Sequence, residues 1–375
     1  MRILHINCNY LGTSLHQLMV EELTSLGLEN QVYVPVYDKT KSSIIPNDNV
    51  LVSERFNKWD RLVFDYKQEK IIRDIEEKID VSSFDLIHAY TLFTDGNCAR
   101  RLSEKYKIPF VVAVRNTDVN DFFKKMVHLR KRGLRTLLSS QSVFFLSSVY
   151  KKKVINSYIP NRYQNEIESK SLIIPNGIDN YWLDNEPEEV DFSQKPHHPI
   201  NLIFVGVINR NKNIKLIQTA VRLLIKDGEQ VKLTVVGRVE DKKLFKEILS
   251  DENVIYHPPC KKESLIDLYR ENDIFVMVSH HETFGLVYPE AMSQGLPVLY
   301  TRGEGFDGQF PDGTIGYSCS DDNPYELAER IKLCIVNYKS QSRMAIKNSK
   351  KYSWQSLCDI YACEYDRIKK DMCNG

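Results

Sequence analysis

The sequence lacks the features that define several large protein classes. Its 375 residues include eight cysteines, but these form no C-x-x-C pair and no cluster with histidines, so neither a disulfide framework nor a zinc site is indicated. No stretch approaches the roughly 18 apolar residues of a membrane span, and residues 1–7 lack the apolar core of a signal peptide. We therefore expect a folded cytoplasmic protein with reduced thiols.

An excess of charge of one sign is missing as well. Lysines and arginines number 51 against 50 aspartates and glutamates, a formal net charge of +1. The balance hides an asymmetry, because residues 1–180 hold 26 basic and 21 acidic residues while residues 181–375 hold 25 and 29. No nucleic-acid-binding motif accompanies the basic residues, so nucleic acid is not an expected partner.

The basic surplus is concentrated between Phe122 and Asn165, where ten lysines or arginines occur without any acidic residue. Phe122, Phe123, Met126 and Leu129 interleave with them, which makes the stretch amphipathic. Two interpretations stay open. Residues 122–153 lie against an anionic membrane surface, where each basic residue contributes about 1 kcal/mol, or they form a solvated helix face that meets an acidic partner or substrate.

Short apolar runs alternate with longer segments of helical period, a pattern typical of parallel α/β units. The length fits two domains, predicted over residues 1–180 and 181–354. Between them, Asn180 to Ile200 is polar and rich in proline and is the expected connection. The two sheets are expected to face each other across a cleft by the carboxyl ends of their strands, where α/β proteins bind ligands. Strands are predicted over 3–7, 32–35, 85–88, 110–114, 143–146, 172–175, 201–207, 232–236, 254–256, 273–278 and 297–300.

The most informative stretch covers residues 278–298, VSHHETFGLVYPEAMSQGLPV. A buried strand ends there in a polar loop, Pro289 suits the first turn of a helix, and Gly295 suits its end. Glu282 is thereby predicted in a strand-to-helix loop and Glu290 in the first turn of the helix. We expect both carboxylates to point into the cleft.

This stretch resembles the E-x7-E motif of family 4 glycosyltransferases, an E-x-F-G-L segment followed by E-A-M-x-x-G-x-P-V. Together with this resemblance, the basic stretch after Phe122 favours a saccharide or lipid-linked saccharide acceptor in surface polysaccharide synthesis. The resemblance itself implies a GT-B fold, without a metal or other cofactor, and retaining transfer of a hexose-type sugar from a UDP- or GDP-sugar. It implies that Glu290 binds the ribose hydroxyls and that Glu282 lies against the donor sugar, where charge-assisted hydrogen bonds are strong. A helix-capping Glu290 and a solvated Glu282 are the alternative. Donor-binding loop residues implied are Thr283, Phe284, Gly285 and Leu286.

A second block, residues 202–214, resembles the family's V-G-R-x-x-x-x-K segment, whose cations neutralise the donor diphosphate. Lys212 matches the lysine, but Val207 occupies the arginine position. Arg210 is expected to reach the phosphates instead, assisted by amides of a helix N-terminus; an exposed loop cation is the alternative. Gly206 and Gly237 are expected to admit the donor nucleotide.

In the first half the resemblance is weaker. Gly12 stands in the position of a donor-binding glycine loop, and His88 lies in a D-x-I-H segment in which Tyr90 replaces a second histidine. His88 is a candidate catalytic residue, with a structural role as the alternative. Asp118 is a candidate catalytic residue that orients the acceptor or, equally, a turn cap, and the expected acceptor-binding residues are Arg115 and Asn116.

The family also implies that residues 355–375 form a helix returning to the first domain. Two other functions are compatible with the sequence. A nucleotide-sugar 2-epimerase shares the architecture, and a non-catalytic glycosyltransferase-like subunit would explain Val207, Tyr90 and the reduced glycine loop. The basic stretch fits a cytoplasmic protein that attaches peripherally to the inner face of the membrane.

Overall fold

The chain folds into two α/β units. The computed structural model describes residues 1–38, 47–57, 59–188 and 195–374. The first unit comprises Met1–Gly177 and Trp354–Gly375, and the second comprises Ile178–Ser353. The chain thus passes from one unit to the other twice, after Gly177 and after Ser353.

A seven-stranded parallel sheet forms the centre of the first unit. Its order is β3-β2-β1-β4-β5-β6-β7, and every neighbouring pair is parallel. Helices cover both faces of such a sheet, so its central strands are almost wholly buried and mostly apolar, as in the fully buried FVVAV of β5. The strands are β1 (Arg2–Ile6), β2 (Glu29–Val36), β3 (Val50–Glu54), β4 (Leu86–Ala89), β5 (Phe110–Val114), β6 (Ser142–Phe145) and β7 (Ser171–Ile173).

Six α-helices connect these strands, and their apolar faces complete the core. In α3, for example, Cys98, Ala99 and Leu102 are buried, which leaves the charged side of the helix to solvent. The helices are α1 (Leu15–Ser25), α2 (Phe64–Lys78), α3 (Asp95–Tyr106), α4 (Arg130–Ser139), α5 (Ser148–Tyr158) and α6 (Asn161–Ser169).

The second unit is built around a six-stranded parallel sheet of order β10-β9-β8-β11-β12-β13. Its strands are β8 (Ile200–Val205), β9 (Val231–Val236), β10 (Val254–His257), β11 (Ile274–Met277), β12 (Val298–Thr301) and β13 (Gly316–Cys319). Its helices are α7 (Asn180–Asp184), α8 (Ile214–Lys226), α9 (Lys242–Leu249), α10 (Lys262–Glu271), α11 (Val287–Ser293), α12 (Pro324–Val336) and α13 (Tyr338–Ser349).

In each parallel sheet there is one place from which consecutive strands are added first on one side and then on the other. In the second unit β8 pairs with β9 on one side and with β11 on the other. The loops that follow β8 and β11 therefore leave the same end of neighbouring strands, and α/β proteins bind ligands at such a point. The first unit has the same arrangement at β1 and β4.

The last helix, α14 (Trp354–Asn374), belongs to the first unit and confirms the predicted return of the chain. Its buried residues Trp354, Tyr361 and Tyr365 pack with Ile3 of β1 and Phe144 of β6. The apolar face of this helix therefore closes one side of the first sheet.

The predicted connection between the domains lies within the second unit instead. Asp179 caps α7, and the ring of His197 contacts the buried Asp273 at 2.8 Å. Hydrogen bonds of this kind attach the segment to the second sheet rather than leaving it as a linker. Residues 189–194 of the segment lie outside the described residues.

The apolar side chains of the basic stretch are largely used inside the first unit. Phe123, Leu129 and Leu137 are buried in its core, and the ring of Phe122 stacks on Phe93 at 4.6 Å. Residues 122–153 therefore do not form a helix whose whole apolar face is exposed. The large apolar side chains that remain exposed within the stretch are Met126, at 39%, and Val127, at 58%. Over the described residues, no helix has the length and apolar character needed to cross a bilayer.

Removing the hydroxyl of Tyr365 should destabilise the first unit. The Tyr365 hydroxyl lies 2.7 Å from Nδ1 of the buried His88, whose Nε2 has no hydrogen-bond partner among the described residues. Tyr365→Phe leaves both ring nitrogens of His88 without a partner, and we expect a loss of about 1–3 kcal/mol of unfolding free energy. Urea unfolding followed by circular dichroism measures the loss, with the exposed Tyr325→Phe as the matched control. Equal stability of the two variants would contradict the structural role of this bond.

Candidate functional site

Two glycines bring the backbone turns after β8 and β9 into contact. Gly237 has a φ of +148°, and a Cβ atom placed on it would lie 1.8 Å from the carbonyl oxygen of Gly206. Only glycine fits this position, because any side chain would meet the neighbouring backbone. The backbone turns at the two predicted donor-binding glycines therefore lie against each other at the end of the second sheet.

Lys212 follows the turn at Gly206 and ends a single 3-10 turn, Arg210–Lys212. The turn is capped by Asn209, whose side-chain oxygen accepts from the backbone N–H of Lys212 at 3.1 Å. Its position on this turn directs the lysine towards the loop that follows the neighbouring strand β11.

Glu282 lies in that loop and meets Lys212. The Nζ atom of Lys212 is 2.5 Å from Oε2 of Glu282, and the two side chains are only 20% and 15% exposed. The backbone N–H of Thr283 also donates to Oε1 of Glu282, at 3.2 Å. A carboxylate and an ammonium group held side by side can bind a hydroxyl and an anion of one ligand at the same time.

Arg210, expected to bind phosphate, is turned elsewhere. Its side chain is 87% exposed, and its Nε lies 3.4 Å from Oδ2 of Asp241, the N-cap of α9. An acidic partner on the neighbouring helix thus attracts this guanidinium away from Lys212. The sequence could not show this pairing, because Asp241 lies 31 positions further along the chain.

The loop from Thr283 to Leu286 has a mixed character. The Phe284 side chain is buried and packs against Phe306 and Tyr352, so only its backbone is available to a ligand. Gly285 has a φ of +78°, and a Cβ there would lie 2.5 Å from the ring of Tyr288. Leu286 occupies the N-cap position of α11, so the loop runs directly into this helix.

Glu290 lies in the first turns of α11, close to a second pair of charges. Burial and, to a smaller extent, the carboxylate of Asp179 raise the pKa of Glu290 to about 7, against the opposing effect of Lys262. Asp179 and Lys262 form an ion pair of 2.6 Å. A partly buried carboxylate with a raised pKa is a frequent feature of binding sites, where a ligand offsets the cost of charge.

Two of the expected site residues of the first unit, His88 and Asp118, are buried within it. His88 is fully buried, stacks on Tyr90 with 4.3 Å between the ring centroids, and has its pKa held well below the usual range by burial. Asp118 is also fully buried and accepts backbone hydrogen bonds from Leu92, Phe93 and Arg115. Burial raises the pKa of Asp118 to about 6. These positions correct the expectation that His88 and Asp118 reach a substrate, since both hold the core and its loops together.

Other expected residues of the first unit stay accessible. Gly12 ends a 3-10 turn after β1, with open space around its Cα. Asn116 is exposed, and Arg115 is partly buried, with Nη1 donating to Asn176 at 2.9 Å. Arg115 and Asn116 follow β5 at the carboxyl end of the first sheet, where their predicted acceptor role stays a prediction.

Sequence reasoning missed several residues around Glu282 and Glu290. Asn211 and Glu304 hydrogen-bond to the backbone of residues 280–282, and Lys262 lies near Glu290. Asn211 could have been noticed as the neighbour of Lys212. The sequence holds no comparable signal for Glu304 or Lys262.

The raised pKa of Glu290 predicts that this residue costs stability at neutral and alkaline pH. The folded chain holds the Glu290 proton up to about pH 7, whereas the unfolded chain releases it near the ordinary glutamate pKa of 4.5. Stability due to this group therefore falls as pH rises from 4.5 to 7 and stays low above pH 7. Glu290→Gln should raise the thermal midpoint at pH 8, at about 2–4 °C for each kcal/mol recovered, and have less effect at pH 5. Calorimetry at both pH values tests this, with the exposed Glu252→Gln as control; a Glu290→Gln midpoint below wild type at pH 8 would refute it.

Comparison with known proteins bears on the same residues. The family model described as "Glycosyl transferases group 1" matches residues 185–352, which include Lys212, Glu282 and Glu290. An uncharacterized glycosyltransferase of Methanocaldococcus jannaschii is 24% identical over 358 residues, covering 92% of this chain and 91% of that protein. A capsular polysaccharide biosynthesis glycosyltransferase of Staphylococcus aureus is 23% identical over 60% of this chain and 62% of its own length.

Among solved structures, a protein of Anabaena determined in complex with UDP and glucose is similar in fold. It has a TM-score of 0.69 at 15% identity, covering 96% of this chain and 98% of that chain. The two-unit α/β fold is thus shared over nearly the whole length. The match over residues 185–352 assigns the second unit to the group 1 glycosyltransferases, and the shared fold together with these relatives supports a glycosyltransferase with the GT-B fold over the whole chain.

Proposed function

We propose that the protein moves a hexose-type sugar from a UDP- or GDP-sugar to a saccharide or lipid-linked saccharide acceptor, with retention of anomeric configuration. The observation that carries the proposal is the contact between Lys212 and Glu282 at the carboxyl ends of neighbouring strands. A nucleotide sugar presents a negatively charged diphosphate directly beside a polyhydroxylated ring. The paired ammonium and carboxylate match these two parts.

In this proposal Lys212 binds the diphosphate and Glu282 binds a hydroxyl of the donor sugar. The adjoining backbone turns at Gly206 and Gly237 support the nucleotide, since glycines allow a ligand to approach the backbone most closely. Glu290 accepts hydrogen bonds from the ribose hydroxyls. Its raised pKa supports this role, because two hydroxyl donors would replace the water that burial removes from the carboxylate.

The proposed reaction breaks the bond between the anomeric carbon and the diphosphate oxygen, and the diphosphate leaves with the electron pair. The acceptor oxygen attacks from the face that the diphosphate leaves, and its proton passes to a departing phosphate oxygen. Lys212 stabilises the negative charge that develops on the leaving group, a contribution typically worth several kcal/mol when the charge is preorganised. Because Lys212 supplies this charge, we propose that the reaction requires no metal ion.

The acceptor is proposed to bind the first unit near Arg115 and Asn116. Asn116 is exposed, and the guanidinium of Arg115 can meet a phosphate or carboxylate on the acceptor. The similarity to a capsular polysaccharide enzyme supports a saccharide acceptor of surface polysaccharide synthesis.

The two other candidate functions fit less well. A nucleotide-sugar 2-epimerase would share the donor site but transfer nothing, and the relatives named above are transferases. A non-catalytic subunit would explain Val207 in place of an arginine. The ion pair between Lys212 and Glu282 argues against that interpretation, because a decaying site has no need to keep both charges.

Substitution of the two donor-binding residues should separate chemistry from binding. Lys212→Ala should lower the kcat of donor cleavage at least tenfold, since the leaving diphosphate loses its cation. Glu290→Ala should raise the donor KM at least tenfold. Both are measured by release of UDP or GDP from UDP-glucose and GDP-mannose, with the exposed Lys226→Ala as control. Near-normal turnover of Lys212→Ala would contradict the proposed site.

The same assay distinguishes the finer parts of the proposal. The anomeric configuration of the product, read by NMR, should equal that of the donor, and an inverted product would refute retention. Activity should survive EDTA, whereas a loss that magnesium restores would refute metal-free transfer. Conversion of the sugar to its 2-epimer without an acceptor product would favour the epimerase.

We propose further that residues 122–153 attach the protein to the inner, anionic face of a membrane. The exposed Lys124, Met126, Val127 and Lys131 support this, as two cations beside two apolar side chains suit a lipid surface. Acidic neighbours neutralise other cations of the stretch, including Lys125, which pairs with Asp121 at 2.6 Å. The attractive surface is therefore smaller than the sequence indicates.

Charge reversal of the two exposed lysines should release the protein from anionic vesicles. Lys124→Glu with Lys131→Glu should lower the partition coefficient on phosphatidylglycerol vesicles at least tenfold, since each basic residue contributes about 1 kcal/mol. Co-sedimentation in low salt measures it, with Lys226→Glu and Lys246→Glu in the second unit as the matched control. Equal binding to neutral phosphatidylcholine vesicles, or no loss on charge reversal, would refute electrostatic attachment through this surface.

A further inference from the structure

The loop that carries Glu282 is held on one side by Asn211, the residue before Lys212. The carbonyl oxygen of Asn211 accepts from the backbone N–H of His280 at 2.9 Å. Its side chain donates to the carbonyl oxygen of His281 at 3.0 Å and accepts from the N–H of His281 at 3.2 Å. One asparagine thus bonds to three backbone polar groups of two consecutive residues, His280 and His281. The loops of Lys212 and Glu282 are joined by these bonds as well as by the ion pair.

The other side of the loop is held by Glu304, which follows β12. Its Oε2 accepts from the backbone N–H of Glu282 at 2.8 Å. The next residue, Gly305, donates its own N–H to the carbonyl oxygen of Glu282 at 2.7 Å. A Cβ on Gly305 would lie 1.7 Å from the carbonyl oxygen of Thr283, so this approach is open only to glycine. Both backbone polar groups of Glu282 are therefore bound by the segment Glu304–Gly305.

The type of residue at position 304 is informative. Glu304 is only 8% exposed, and it brings a second carboxylate next to the Glu282 residue. Its Oε1 also lies 3.7 Å from Nδ1 of His281, so both carboxylate oxygens contact residues of the Glu282 loop. A buried carboxylate bonded to the backbone amide of the residue that contacts Lys212 can fix where that residue lies.

We propose that Asn211 and Glu304 are positioning residues that fix the Glu282 loop from two sides, so that the Glu282 carboxylate stays beside Lys212. This inference rests on the proposed function, in which Glu282 holds the donor sugar and Lys212 the diphosphate. Neither Asn211 nor Glu304 needs to touch the donor. Their effect reaches the reaction through the backbone of residues 280–282.

Such a role has a specific kinetic consequence. The nucleotide part of the donor meets the glycine turn and Glu290, which Asn211 and Glu304 do not contact. Loss of either residue should therefore leave binding of the nucleoside diphosphate unchanged and lower the rate of the sugar step. Misplacement of a catalytic group by about 1 Å typically costs on the order of a hundredfold in rate.

The test compares Glu304→Ala, Glu304→Gln and Asn211→Ala with the exposed Glu252→Ala. We expect Glu304→Ala and Asn211→Ala to lower the kcat of sugar release from UDP-glucose or GDP-mannose at least tenfold. The Kd of UDP or GDP, measured by calorimetry, should stay within twofold of wild type. Glu304→Gln should recover most of the rate, because its amide oxygen can still accept from the Glu282 N–H. Unchanged kcat in both alanine variants, or an equal loss of kcat and nucleotide affinity, would overturn the proposal.

Hydrogen exchange supplies a readout that does not depend on activity. Glu304→Ala should speed amide exchange in peptides covering residues 280–284 at least tenfold, while peptides of β8 and β11 exchange as in wild type. Accelerated exchange throughout the second unit, or none in the loop, would overturn the positioning role. If wild-type protein uses no donor but the loop responds as expected, the proposed function fails while the contacts of Asn211 and Glu304 stand.

Discussion

The ion pair between Lys212 and Glu282 is the interaction on which the site of this protein depends. Two opposite charges 2.5 Å apart, each mostly shielded from water, attract more strongly than an exposed pair. Shielding also costs solvation, so the arrangement is stable only with further bonds to both groups. Asn209 supports the turn of Lys212, and Thr283 donates to the carboxylate of Glu282. The pair is thus part of a connected polar network rather than an isolated surface contact.

Sheet topology explains why residues 70 positions apart in the chain come together. β8 lies between β9 and β11, and the loops after β8 and β11 leave the sheet at the same end. The turns at Gly206 and Gly237 are in backbone contact, and Lys212 Cε would lie 3.8 Å from a Cβ on Gly206, so the charged pair lies beside these turns. The loops after β8, β9 and β11 therefore meet because of the order in which the strands are paired.

Most strands and the loops of the site could be predicted from the sequence, because local patterns of residues define them. Eleven strands, the loop of Glu282 and the helix of Glu290 follow from apolar runs, glycines and a proline. The sequence does not predict strands β3 and β13, because Val50–Glu54 ends in polar residues and Gly316–Cys319 begins with glycine and holds few apolar residues. It also leaves open whether His88 and Asp118 have a catalytic or a structural role. Their burial depends on tertiary contacts, such as that of His88 with Tyr365, 277 positions away.

The same distinction explains which site residues sequence reasoning could not find. Lys212, Glu282 and Glu290 lie in recognisable motifs, whereas Glu304 acts on the backbone of a residue 22 positions earlier and leaves no pattern in its own segment. The sequence also could not show that Arg210 lies 3.4 Å from Asp241. A motif identifies residues that meet the ligand. The residues that hold those side chains in place are set by packing between loops, and the three-dimensional structure is needed to find them.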